Sequence, residues 1–289
     1  MTTRAQWIEG ARPRTLPAAV SPVLVGTGAA FAADSFAWDR ALLALVVSLA
    51  LQIGVNYAND YSDGIRGTDE VRVGPLRLVG SGIASPRSVR TAAFAAFAVA
   101  AVAGLVLALL TTLWLLLVGV AAIAAAWGYT GGKNPYGYKG LGEVFVFVFF
   151  GLVAVIGTTY VQVERVTWLA VAGGIASGAL ACAILVTNNV RDIPTDREHD
   201  KLTLAVRLGD RRSRLLYQAL VLIPFGFAGA AGFSRPGALL ALLSVPLAVA
   251  PLKLIRAGAT GRELIAVLQA TGKLQLAFGV LLGSGLALI

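Results

Sequence analysis

Two stretches of this 289-residue chain concentrate side chains able to do chemistry. The first carries Asn56, Asn59, Asp60, Asp63, Arg66 and Asp69. The second carries Asn188, Asn189, Arg191, Asp192, Asp196, Arg197, Glu198, His199, Asp200 and Lys201. Seven of the fifteen acids lie in these two short segments, so the acidity is clustered rather than spread over a surface. On a helix, residues four apart share a face. Asn59 and Asp63 then line up, as do Asn56 and Asp60, and so do Asp192, Asp196 and Asp200 if the helix continues past Pro194. That proline weakens strict helical geometry at the second cluster. Like charges on one edge repel, and a bound cation removes the cost. Hard oxygen donors without thiolates or an imidazole cluster suit Mg2+. Such sites use few carboxylates and let substrate phosphates complete the shell. Two acidic clusters with interspersed Arg and Lys therefore read as a place to hold a diphosphate through metal ions. Charges that only mark a water interface would explain one isolated Asp better than two clusters of similar spacing in the two halves of the chain.

The elements that must position these clusters are apolar. The chain is 57% hydrophobic and 13% charged, against about 25% charged in soluble domains. This is the composition of an all-α polytopic membrane protein, expected to form one domain over 1–289. Runs of about 20 apolar residues are long enough to span. They fall near 15–33, 40–59, 88–110, 113–130, 141–162, 166–189, 213–232, 236–254 and 270–289, which predicts nine transmembrane helices. Lys273 and Gln275 fall near the start of the last. With the N-terminus inside, 21 of the 24 Lys and Arg lie on the inner side and only Arg40, Arg165 and Arg235 lie outside. That asymmetry follows the positive-inside rule and predicts a cytoplasmic N-terminus with both acidic motifs on the cytoplasmic face. Asp60 and Asp192 are about half a chain apart, which reads as two pseudo-repeats, 15–130 and 141–254, followed by a C-terminal helix.

The net charge of +9 reflects orientation signals. No basic patch with interleaved aromatics points to a nucleic-acid partner. Cys182 lies alone in an apolar run, so no disulfide is expected, and His199 reads as a solvated loop residue. Glu9, Arg12 and Arg14 precede the first apolar run without a convincing cleavage site, so no cleavable signal peptide is expected. The loop over 60–87 combines Gly64, Gly67, Gly74, Gly80 and Gly82 with Arg66, Arg72 and Arg77, a composition able to fold over an anionic ligand. A third polar element runs from Trp127 to Glu143 and holds Tyr129, Lys133, Tyr136, Tyr138 and Lys139 among glycines.

Together these three stretches resemble the UbiA intramembrane prenyltransferase superfamily, whose first motif reads N-D-x-x-D-x-x-x-D. Asn59, Asp60 and Asp63 match it; Gly67 stands at the third acid position, with Asp69 two residues on. The N-D-Y-x-D-G-x-x-G-x-D form resembles the branch that prenylates 1,4-dihydroxy-2-naphthoate in menaquinone synthesis. Gly74 to Arg77, Pro135 to Tyr138, Gly140 to Gly142, Asn188 to Asp192, Thr203 to Gly209 and the opening Ala11 to Pro17 fit that branch as well. The resemblance covers about residues 7–212.

It implies a nine-helix fold in the plasma membrane and an enzyme whose partners are a polyprenyl diphosphate, 1,4-dihydroxy-2-naphthoate and membrane lipids. It also implies a Mg2+ cofactor, with two ions. Carried over by motif, Asp60, Asp63, Asp192 and Asp196 are the candidate catalytic residues. Asn59, Asp60, Asp63, Asp69, Asp192, Asp196 and Asp200 are the candidate metal ligands. Arg12, Arg14, Asn59, Arg66, Tyr129, Lys133, Tyr138, Asn188, Arg191 and Lys201 are the candidate substrate contacts. Phe145, Phe147, Phe149, Phe150 and Tyr160 stand where rings could stabilise an allylic cation. A UbiA-type enzyme with another aromatic acceptor, a lipid-phosphate transferase and a secondary transporter are the competing readings. Against transport, the acids sit near helix ends and not at the midplane.

Overall fold

The computed structural model describes residues 2–67 and 76–288. Asp69, Arg72 and Gly74, singled out above, lie outside the described residues. Those residues form helices and connections with no strand. Seven helices are long and apolar enough to cross a membrane: α2 (Trp38–Ile65), α3 (Pro86–Leu110), α5 (Gly142–Val163), α6 (Trp168–Glu198), α7 (Asp210–Gly232), α8 (Pro236–Arg256) and α9 (Gly261–Leu288). Two shorter apolar helices, α1 (Pro17–Phe31) and α4 (Trp114–Gly128), have 15 residues each. At 1.5 Å per residue each is about 22 Å long, short of a hydrocarbon core of about 30 Å. The protein is thus a multi-pass membrane protein with these nine apolar helices among the described residues, seven of them of full spanning length.

Helix ends depart from the hydropathy boundaries in an informative way. Hydropathy ends the second and sixth runs at 59 and 189, yet α2 continues to Ile65 and α6 to Glu198. Both acidic motifs are therefore helical. Asp60, Asp63, Asp192 and Asp196 are all buried, so their backbone continues in the helix because the side chains find protein partners rather than water. Pro194 is accommodated inside α6. The last helix starts at Gly261, not near 270, and carries Gln275 fully buried.

Among these helices, α2 packs on α3, α9 on α1, α7 on α6, and α5 on both α1 and α6. Lipid tails are as apolar as Leu, so helices in a membrane associate through close van der Waals fit at small residues. At the α1–α9 crossing a Cβ on Gly28 would lie 2.2 Å from the Gly283 carbonyl oxygen. Gly28→Leu is expected to force the two backbones apart and cost about 1–3 kcal/mol, the range for overpacking. The check is a lowered thermal unfolding midpoint in detergent. Within α5, Phe147–Val153 winds as a π-helix, an arrangement that commonly marks functional sites in membrane and soluble helices. At the opposite helix ends, Arg40 of α2 donates to the Val161 and Leu110 carbonyls and pairs with Glu164 at 3.1 Å, tying α2, α3 and α5 together.

Candidate active site

A cavity of about 360 Å³ is lined by α1 to α6 and the segments at their ends. Residues of α7, α8 and α9 do not line it; α7 packs on α6, α9 on α1 and α6, and α8 on α7 and α9. Two helices show how the sequence builds its gradient. On α2 the cavity-facing stripe runs Ala44, Val47, Ser48, Leu51, Gln52, Val55, Asn56, Asn59 and Asp63. On α6 it runs Ala181, Ile184, Leu185, Asn188 and Asn189. Steps of three and four keep each stripe on one face. Both go from apolar residues through amides toward acids, so the cavity is apolar at one end and polar at the other.

The polar end joins all three motif stretches. Asp63 Oδ1 accepts from Tyr138 Oη at 3.0 Å, and Oδ2 lies 3.9 Å from Arg77 Nη2. Asn59 Oδ1 accepts from Thr130 Oγ1 at 2.7 Å. Lys201 Nζ lies 3.3 Å from Asp196 Oδ1 and 5.2 Å from the centre of the Tyr138 ring. Tyr138 thus links the first motif to the second: hydroxyl on Asp63, ring face under the ammonium held by Asp196. Arg66 stacks over the same ring at 5.4 Å and donates to the Thr130 and Gly132 carbonyls. Arg12, at φ 54 in the left-handed region, also lines this end. A non-glycine residue there costs energy that surrounding structure must hold, and such strain is frequent at functional sites. Burial raises the Tyr129 hydroxyl well above its ordinary pKa, and the nearby carboxylate of Glu143, then Tyr136, Asp63 and Asp196 push the same way. Burial likewise raises Tyr136.

At the apolar end stand Leu107, Leu115, Val118, Gly119, Ala122, Gly157 and Val161. The wall between the ends is aromatic. Phe145 stacks on Tyr136 with centroids 3.9 Å apart and neighbours Phe149 at 6.1 Å; both phenylalanines and Phe150 line the cavity. Phe147 and Tyr160 do not line it. Phe147 instead packs where a Cβ on Gly178 would lie 2.9 Å from its ring.

The remaining predicted residues divide by geometry. Asn188 lines the cavity. Asp192 is held by its neighbour Arg191, Nε to Oδ1 at 2.7 Å and Nη2 to Oδ2 at 2.9 Å. Asp60 does not line the cavity: both its oxygens accept backbone N–H groups, from Leu78 at 2.8 Å and Val79 at 3.0 Å. It anchors the returning segment that brings Arg77 to Asp63. Asp200 departs from the expected edge because α6 ends at Glu198; it is exposed, at φ 52, beyond the helix. Arg14 and Lys133 are exposed and do not line the cavity. Gln52, Thr130 and Glu143 were not singled out as site residues by sequence reasoning, and Asn189 was named in the second motif without a role at the site. Gln52, within an apolar run and four residues before Asn56, carried a signal in its spacing.

No group of three or more His, Cys, Asp or Glu able to hold a metal occurs among the described residues. The donor chemistry fits magnesium none the less: carboxylate and amide oxygens from Asn59 and Asp63, which line the cavity, and from the buried Asp192 and Asp196, which do not line it, without thiol or imidazole. Sites with one or two carboxylates and substrate phosphate are the usual pattern for this ion.

An all-helical membrane bundle with a half-polar, half-apolar cavity under two acidic helix ends is an architecture with known relatives. The model of the UbiA prenyltransferase family matches residues 19–268, and the chain belongs to that family. It is 55% identical over 287 residues to a Mycobacterium tuberculosis protein named 1,4-dihydroxy-2-naphthoate octaprenyltransferase, covering 99% of this chain and 98% of that one. The structure of a UbiA homolog from Aeropyrum pernix K1 matches with a TM-score of 0.70 at 19% identity, over 93% of this chain and 96% of that one. A UbiA homolog from Archaeoglobus fulgidus, solved bound to GPP and Mg2+, matches with a TM-score of 0.67 at 15% identity, over 96% and 99%. Both likenesses establish the fold.

Proposed function

We propose that the protein transfers a polyprenyl group from polyprenyl diphosphate to 1,4-dihydroxy-2-naphthoate, releasing diphosphate and carbon dioxide and giving demethylmenaquinol. The observation that carries this reading is the two-ended cavity, in a chain 55% identical over nearly its whole length to a protein of that name. Arg12, Arg77 and Lys201 face the diphosphate at the polar end. Asn59, Asp63, Asp192 and Asp196 would hold two magnesium ions. Bound there, magnesium would supply positive charge to offset the negative charge developing on the diphosphate as the allylic C–O bond breaks. The bonding pair leaves with the diphosphate, and guanidinium and ammonium groups already in place stabilise it without reorganising. Phe145, Phe149 and Phe150 present ring faces and exclude water that would quench the allylic cation. The tail follows the apolar end toward lipid. The electron-rich ring carbon that bears the carboxylate supplies the pair for the new C–C bond, and as carbon dioxide leaves from that carbon its bonding pair returns to the ring, restoring aromaticity without a protein base.

In this reading the chain forms one domain of two pseudo-repeats plus α9. It crosses the plasma membrane nine times with its N-terminus cytoplasmic, and α1 and α4 span with help from their flanking segments. The polar end then opens to the cytoplasm, where both substrates' charged groups arrive. The test is purified protein in detergent with magnesium, a polyprenyl diphosphate and 1,4-dihydroxy-2-naphthoate, read by mass spectrometry. Demethylmenaquinone that disappears with EDTA is expected. Diphosphate consumed only with a different aromatic acceptor would replace the acceptor, and no consumption by folded protein with any acceptor would sink the reading.

A further inference from the structure

Glu143 is a carboxylate that the reaction outlined above does not use. It lies at the start of α5, 7% exposed, inside the bundle. No Lys or Arg pairs with it among the described residues. Its Oε1 accepts from Asn189 Nδ2 at 2.9 Å, and its Oε2 is buried without a hydrogen-bond partner. A buried acid with one oxygen unsatisfied is costly, and packing alone would favour an apolar residue at this place. The surroundings hold it firmly. Its backbone carbonyl accepts from Cys182 Sγ at 3.1 Å, and a Cβ on the preceding Gly142 would lie 3.2 Å from the Tyr129 ring.

The consequence falls on Asn189, which lines the cavity. An asparagine amide offers two donors at one end and an acceptor oxygen at the other, with nearly the same shape. Which end meets a ligand is decided by what the other end bonds. A carboxyl oxygen on Nδ2 engages the nitrogen and leaves Oδ1 as the free acceptor of a residue that lines the cavity. On α6, Asn189 stands four residues beyond Leu185 of the apolar wall and three before Asp192. It therefore sits at the level where the polar end gives way to the apolar one, where a ring must lie to meet the allylic carbon.

We propose that Glu143 is a positioning residue that turns the Asn189 carbonyl oxygen into the cavity, where it accepts a hydrogen bond from a ring hydroxyl of the aromatic acceptor. An oriented acceptor oxygen selects hydroxylated rings and fixes which ring carbon faces the prenyl chain. It contributes to acceptor recognition and not to ionisation of the diphosphate. The inference rests on the acceptor reading above.

The experiment uses full-length protein in detergent with magnesium, geranylgeranyl diphosphate, and 1,4-dihydroxy-2-naphthoate or its two mono-hydroxy analogues. Wild type is measured first. If it makes no product, the proposed function has failed, independently of Glu143. In Glu143→Gln the amide oxygen still accepts from Asn189, and activity is expected within about threefold of wild type. Glu143→Leu is expected to raise KM for the naphthoate about tenfold, the effect of one oriented hydrogen bond, with KM for the diphosphate unchanged. Asn189→Ala should do the same, and the double variant should be no worse than either single one, because both remove one arrangement. For the analogue lacking the contacting hydroxyl, wild type and Glu143→Leu should have equal KM. A role in packing alone would not produce that convergence. Asn189→Ala carries the same comparison if Glu143→Leu fails to fold. Equal loss in the Gln and Leu variants, a raised KM for the diphosphate, or unchanged KM for both substrates would each overturn the proposal.

Discussion

Asp63→Asn is expected to lower turnover by at least about a hundredfold, the scale for removing one preorganised electrostatic group from a site of developing charge. The purified variant should remain folded, because asparagine keeps the shape of the side chain. Asp63 lines the cavity, takes the Tyr138 hydroxyl at 3.0 Å and faces Arg77 at 3.9 Å. Asparagine keeps the shape and one acceptor oxygen but removes the charge that a metal ion would need. The loss should be larger at low magnesium than at saturation if Asp63 is a ligand, and magnesium titration of the residual activity reads this directly. Asp200→Asn is the matched control. It removes a carboxylate from the same pair of motifs, yet Asp200 is exposed beyond the end of α6, so turnover should stay within about twofold. Equal losses in both variants would show that overall charge near the membrane surface, not a cavity ligand, is what matters.

The second large effect lies at the opposite end. Gly157→Phe is expected to lower kcat/KM for octaprenyl diphosphate tenfold or more while geranyl diphosphate is used within about threefold of wild type. Gly157 lines the apolar stretch between Ala154 and Val161, and a Cβ there meets no atom within 4 Å. The space belongs to the cavity. A phenyl ring would fill it, removing room for distal isoprene units whose burial contributes about 0.8 kcal/mol per methylene-sized group. A short tail does not reach that far. Competition between the two diphosphates, with products separated by mass, gives the ratio in one measurement. An unchanged ratio would route the tail elsewhere, and a ratio changed through loss of both substrates would indicate a distorted α5.

Much of this protein was written in its local sequence. Apolar runs set where α2, α3 and α5 to α9 lie to within a few residues at most ends, because burying a backbone in lipid leaves a helix as the only open structure that satisfies its own hydrogen bonds. The four-residue spacing of Asn59 with Asp63, and of Asp192 with Asp196, put these side chains on common faces before any tertiary contact was known. What spacing could not decide is which carboxylates face the cavity. Asp60 and Asp63 are three residues apart on one helix, yet Asp60 is committed to the amides of Leu78 and Val79 while Asp63 lines the cavity. That division depends on a segment about twenty residues away folding back onto α2. Asp200 was lost from the row because α6 ends before it, and Tyr138 became a link between the two motifs only because the third stretch packs between them. Glu143 and Asn189 are 46 residues apart, and each alone reads as an ordinary polar residue at a helix end or in a motif. A sequence period records which face of a helix is polar; which partner meets that face is set by how the helices cross, and that is a property of the assembled bundle.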